Sequence, residues 1–143
     1  MASRRILFFV LLFISQRLIA QNTTWGDYKL VGNQTGISQL TTAQTKEYFK
    51  GKYTLWSSGK SVKVVLHSSQ SKHSAALAKL IYNTNQQGVQ KFWLSLVFQG
   101  RANPPVFLDS DAEMVNFVAK TPGSIAIIAK ESYCPAQLII SIK

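Results

Sequence analysis

The run HSSQSKH at residues 67–73 places three serines, two histidines and a lysine within seven positions. Residues of these types can do three kinds of chemistry. Hydroxyls and free main-chain amides can hold an anion, a serine beside a histidine can act as a nucleophile, and histidines with a carboxylate can bind a metal. A metal set would draw on His67 and His73 with Asp109 or Asp111. No histidine pair at i, i+4 and no cysteine partner supports one, so no metal site is predicted. Nucleophilic hydrolysis lacks a G-x-S-x-G elbow around any serine. The chain has six carboxylates, and those at Asp109, Asp111 and Glu113 cluster at a predicted helix start rather than forming an acid/base pair. The reading is therefore non-enzymatic, with no catalytic residues and no cofactor.

An anion site fits better. Residues 62–66 (VKVVL) are a β-branched apolar run, and beyond the loop Leu77, Leu80 and Ile81 mark one helix face, with Ala75 and Ala76 allowing close approach. A strand ending near Leu66 and a helix starting near Ser71 would aim unpaired amides into a pocket lined by Ser68, Ser69 and Ser71. The amides near Lys72 and His73 would add donors, and Lys72 with a protonated His67 or His73 would add positive potential. The same serines also read as plain helix caps, each contributing about 1 kcal/mol.

Elements on either side must carry this loop. Tyr28 to Val31 is a short predicted strand closed by Gly32 and Asn33. Thr41 and Gln44 form a capping-box pair opening a helix that runs to about Phe49 and ends at Gly51. Trp56, in a Gly/Ser-rich connection, is predicted to pack on the core. Val89, Phe92, Trp93, Leu96 and Val97 fall at i, i+3, i+4, i+7 and i+8, an amphipathic helix stopped by Gly100. Pro104 and Pro105 interrupt regular structure before a short extended segment at Val106 to Leu108. Ser110 and Glu113 repeat the capping pattern for a helix through Met114, Val115 and Val118 that ends before Pro122. Residues 124–129 (SIAIIA) and 137–142 (QLIISI) read as buried strands. Strands alternating with helices argue for an α/β layer structure, in one domain.

The first residues read as a secretory signal, with Arg4 and Arg5 before a nine-residue apolar core at 6–14 that Arg17 interrupts. That core is too short to span a bilayer, and the alternative is an uncleaved anchor. Cleavage after Ala20 leaves residues 21–143 as one domain of 123 residues with no stable membrane span, long enough to bury roughly 65% of its unfolded surface. No cysteine near Ala20 marks a lipid anchor, so a periplasmic or secreted location is expected. Without Arg4, Arg5 and Arg17 the chain has 13 Lys+Arg against six acids, a net charge of +7. In an exported protein that charge points to anionic ligands or surfaces rather than nucleic acid, for which no arginine stripe or stacking aromatics appear. Cys134 is the single cysteine, so no intrachain disulfide forms and the residue is read as a small buried or partly buried packing element, the alternative being a reactive or intermolecular thiol.

The order of motifs resembles the type 2 periplasmic substrate-binding proteins, specifically the small members similar to phosphate ABC-transporter binding proteins, from about Val31 to about Ile128. Asn33, Gly36, Ile37, Leu40, Phe49, Gly51, Lys52 and Trp56 match one stretch of the family pattern. Phe92, Trp93, Phe98, Gly100, Pro104 and Pro105 match a second, and Thr121, Pro122, Gly123, Ser124 and Ile125 match its Thr-Pro-Gly-Ser-Ile ending, with Ala126 and Ile127 in place of Gly-Tyr. The family's ligand loop, Arg-Ser-x-Gly-Ser-Gly-Thr, corresponds to His67, Ser68, Ser69, Gln70, Ser71, Lys72 and His73; two serines agree, and the arginine, glycines and threonine do not. Losing the arginine replaces a permanent fork of charge with a histidine of reference pKa about 6.5.

The resemblance implies a single lobe of a two-lobed clamshell, a central mixed sheet flanked by helices. It further implies an exported binder of phosphate or a similar oxyanion, with His67, Ser68, Ser69, Ser71, Lys72 and His73 as ligand residues. The altered loop and the single lobe leave a second reading open: an interaction module without ligand, working with an envelope transporter, porin or sensor.

Overall fold

The computed structural model describes residues 22–143, so the apolar leader and the cleavage point at Ala20 lie outside the described residues. The strands are β1 (Tyr28–Gly32), β2 (Gln39–Leu40), β3 (Lys63–His67), β4 (Val106–Leu108), β5 (Ser124–Ala129) and β6 (Ile139–Ile142). The helices are α1 (Thr42–Phe49), α2 (Ser74–Tyr82), α3 (Gln86–Phe98) and α4 (Asp111–Lys120).

The strands form one six-stranded mixed sheet in the order β2-β6-β1-β5-β3-β4. β5, buried at every position, lies between β1, which it pairs antiparallel, and β3, which it pairs parallel. The apolar run that follows its first residue, Ser124, is what a strand covered on both faces requires. Leu30, Val64, Leu66, Ile125 and Ile127 face α1, α2 and α3 through Phe49, Leu77, Ile81, Val89, Trp93 and Leu96. The alternate residues Val31, Val65, Ala126 and Ile128 face α4 through Met114, Val115 and Val118. The α/β architecture of a mixed sheet between helical layers is thus the one expected.

Local signals act as their chemistry demands. Thr41 Oγ1 accepts the Gln44 amide at 3.1 Å and Gln44 Oε1 accepts the Thr41 amide at 2.9 Å, closing the capping box of α1. Ser110 caps α4 by accepting the Glu113 amide at 3.2 Å, while the Glu113 carboxylate reaches back to the Asp109 amide at 3.0 Å, one residue beyond the position a capping box would use. Trp56 is buried, and its indole donates to the Gly123 carbonyl at 2.8 Å, tying the connection after α1 to the start of β5.

Several boundaries differ from the sequence expectation; α3, for one, starts at Gln86, three residues before the apolar stripe. β3 extends one residue further, so His67 belongs to the strand. α2 begins at Ser74 rather than near Ser71, because Ser71 and Ser74 amides are taken by the carbonyls of Ser68 and Ser71 in tight turns at 3.1 and 3.2 Å. Residues 137–142 are not one buried strand. After Pro135 the chain makes a 3₁₀ turn, Ala136–Leu138, and the strand that follows alternates, with Ile139 exposed and Ile140 buried. β2 carries no sequence signature, being two residues held parallel to β6.

Candidate functional site

Because β3, β4 and β5 run parallel, their carboxyl ends lie along one edge of the sheet, where the start of antiparallel β1 also falls. In open α/β sheets that edge is where ligands are held. It gathers the loop 67–73, Asp109 and Asp111 after β4, Lys130 and Glu131 after β5, and Tyr28.

His67 is 5% exposed, and its ring is joined at both nitrogens. Nε2 lies 2.8 Å from the Ile127 carbonyl oxygen, which only accepts, so Nε2 carries a hydrogen, and in the neutral ring Nδ1 is then bare. Ser71 Oγ, 2.7 Å from Nδ1, must then donate to it. The Ser71 oxygen in turn accepts the His73 amide at 3.2 Å. Burial is the main cause holding the His67 pKa below the ordinary value; the Ile127 bond and Asp111 partly oppose it, and His73 adds to it. His67 is therefore neutral at physiological pH and does not supply the positive potential expected of it.

The remaining loop residues diverge. The Ser68 hydroxyl donates to the Asp109 carboxylate and accepts the Gln70 amide at 3.1 Å. Ser69 and Lys72 are exposed. Ser71, 7% exposed, points inward. The three serines thus do not converge on one hollow: one is turned to the core, one to a carboxylate and one to solvent. His73 caps α2 only in position, with no side-chain bond to the helix, and its ring instead lies edge-on to those of Tyr28 and His67 at 5.8 and 5.6 Å. A shallow hollow on one side of it is lined by Asp27, Tyr28, Lys72 and Ala76, and another by Gly26, Ala129, Lys130 and Glu131. Behind His67 the apolar gap against α2 and α3 is only about 20 Å³, too small for an oxyanion.

Asp111 is the residue sequence reasoning undervalued. Its Oδ2 accepts the Ala129 amide at 3.0 Å and the Ser132 hydroxyl at 2.6 Å. Its Oδ1, buried without a hydrogen bond, lies 3.6 Å from His67 Nε2, and Oδ2 lies 3.8 Å from His73 Nε2. The available signal was topological: parallel β3 and β4 put the residues following each strand side by side. Gln86, whose amide donates to the His67 carbonyl at 3.0 Å, is a second missed contributor.

Ser71, His67 and Asp111 stand in the order of a nucleophile, its base and a carboxylate, yet they lack that chemistry. The imidazole hydrogen goes to a backbone carbonyl instead of the carboxylate, and both the hydroxyl and the ring are buried away from any substrate. No cluster of three or more His, Cys, Asp or Glu residues suited to a metal ion occurs among the described residues. No helix among them is long and apolar enough to cross a membrane.

No family model matches the sequence, and no curated protein does. Solved structures do match in fold. An ABC-type phosphate transport receptor from Vibrio cholerae superposes with a TM-score of 0.61 at 17% identity, over 81% of this chain and 46% of the receptor. PstS from Borrelia burgdorferi gives a TM-score of 0.60 at 14% identity, over 82% and 47%. A putative phosphate ABC transporter substrate-binding protein from Clostridium perfringens with bound phosphate gives 0.51 at 16%, over 82% and 44%. The chain spans less than half the length of these proteins, and its fold is that of one of their lobes.

Proposed function

We propose that this chain is an exported, non-enzymatic binding-protein lobe that works by contact with an envelope partner, a transporter, porin or sensor, and that its serine loop stabilises its own fold instead of capturing a solute. The observation that carries this reading is the closed circuit at His67. Ser71, the inner serine of the loop, spends its one donor on a neutral imidazole and accepts the His73 amide, leaving no donor for an oxyanion. Around it, Asp109 holds Ser68 and Asp111 stands beside both histidines, so negative charge faces the place where an oxyanion would sit.

A second reading keeps phosphate or a similar oxyanion as ligand. It is favoured by the fold of the phosphate-binding proteins and by the exposure of Ser69 and Lys72 beside His73 at the start of α2.

Isothermal titration with phosphate and with sulfate separates the two. The module reading expects no heat at millimolar ligand between pH 5.5 and 8, together with a partner recovered from envelope extracts that His67→Ala and Ser71→Ala do not release while folded. Saturable heat that Lys72→Ala or Ser69→Ala removes would establish the oxyanion reading instead.

A further inference from the structure

Charge is segregated along this chain. Between Thr42 and Arg101 stand nine Lys+Arg and one acid, Glu47, and Lys52 neutralises that acid at 2.6 Å. This stretch builds the helical layer on one face of the sheet, where α2 packs beside both α1 and α3. The helix on the other face, α4, opens with Asp111 and Glu113.

The outward stripes of the three helices repeat a pattern. On α2 the stripe includes exposed Ala75 and Lys79, with exposed Lys72 just before the helix, and exposed Lys50 follows the end of α1. On α3, Lys91, Leu94 and Phe98 follow one another at i, i+3 and i+7 on one line of the helix surface. Leu94 is 57% exposed and Phe98 82% exposed. Arg101, also exposed, follows the helix. Two large apolar side chains thus project from a polar surface whose exposed charges, Lys50, Lys72, Lys79, Lys91 and Arg101, are all positive.

We propose that this three-helix face docks on an anionic phospholipid bilayer, with Leu94 and Phe98 entering the headgroup layer and Lys79, Lys91 and Arg101 pairing with lipid phosphates. Basic residues beside a projecting apolar pair are the composition of an interfacial surface, drawn in by charge and held by apolar burial. An acidic protein would also attract the lysines. It would need a matching recess for Leu94 and Phe98, whereas a fluid headgroup layer closes around projecting groups on a convex helix surface. The face lies on the membrane and does not span it. This inference concerns the helical layer and does not depend on the serine loop.

Vesicle sedimentation tests it, using the chain from Gln21 onward, which contains every element of the fold. The protein is expected to sediment with vesicles containing phosphatidylglycerol and not with pure phosphatidylcholine. Raising salt from about 50 to about 500 mM should lower the bound fraction roughly tenfold, because headgroup charge is screened. Leu94→Ser with Phe98→Ser, and separately Lys79→Gln with Lys91→Gln, should each lower partitioning about tenfold. Lys120→Gln, on α4, should change nothing, and free inorganic phosphate at millimolar concentration should not compete. Equal binding to both vesicle types, no binding to either, or binding that both double variants retain would overturn the proposal.

Discussion

Ser71 Oγ lies 2.7 Å from His67 Nδ1, and this contact decides what the loop after β3 can do. Both groups are buried, and each depends on the other: the hydroxyl is the donor the bare imidazole nitrogen needs, and the imidazole directs the hydroxyl inward. Ser71→Ala would leave Nδ1 and the His73 amide without that partner, at a cost of about 1–3 kcal/mol. The expected result is a lower urea midpoint, with no shift of the wild-type or variant melting temperature on adding phosphate. A phosphate-dependent rise in wild type that the variant loses would show that the hydroxyl serves a ligand.

His67 makes stability depend on pH in a definite direction. Its folded pKa is depressed by burial, so below about pH 6.5 the unfolded chain takes up a proton that the folded chain refuses. Stability is therefore fully present above the unfolded pKa and is lost as pH falls from there toward the folded value. Urea unfolding at pH 7.5 and pH 5 should show the loss. His67→Gln should flatten this slope, and an NMR titration should show the wild-type ring protonating at lower pH than a free imidazole. A ring that protonates above 6.5 would contradict the buried, doubly bonded geometry.

The same contact marks the limit of what could be read from the chain. The strand, the serine-rich turn and the amphipathic helix were legible because each depends on local composition, as were the capping box at Thr41 and the apolar stripe of α3. The direction of Ser71 was not. It is set by a ring whose other nitrogen binds the carbonyl of Ile127, sixty residues away in the sequence, so no local pattern contains it. Asp111 was legible as part of a helix start and illegible as a neighbour of both histidines, because only the parallel pairing of β3 and β4 brings it there. Likewise β2 exists only because β6 offers an edge, and a two-residue strand has no period to detect.

Tyr82 joins the three helices of the basic face. Its hydroxyl donates to the Phe49 carbonyl at the end of α1 and accepts the Trp93 indole N–H from α3 at 3.0 Å. Burial drives the phenol pKa far above its ordinary value, so the hydroxyl stays protonated in any mild alkali. Tyr82→Phe keeps the ring and orphans a donor and an acceptor, and it should cost about 1–3 kcal/mol in urea unfolding. Tryptophan emission should shift as the Trp93 indole loses its partner. An unchanged midpoint would mean that solvent reaches these groups.

Gly123 and Gly59 offer a matched pair for measuring how tightly the Trp56 connection is packed on the start of β5. Both have left-handed backbones, with φ of +83° and +84°. A Cβ at Gly123 would lie 2.4 Å from the Ser61 carbonyl oxygen, whereas one at Gly59 would meet nothing within 4 Å. Gly123 is also a crossing point, its carbonyl accepting the Trp56 indole at 2.8 Å and its amide donating to the Asn33 carbonyl at 2.7 Å. Gly59→Ala should therefore cost only the left-handed penalty, about 1–2 kcal/mol. Gly123→Ala should cost that and the displacement of a backbone carbonyl, about 3 kcal/mol or more in all. Urea midpoints of the two variants give the comparison directly. Equal losses would show that the Ser61 carbonyl yields freely and that Trp56 is not clamped where its indole bond places it.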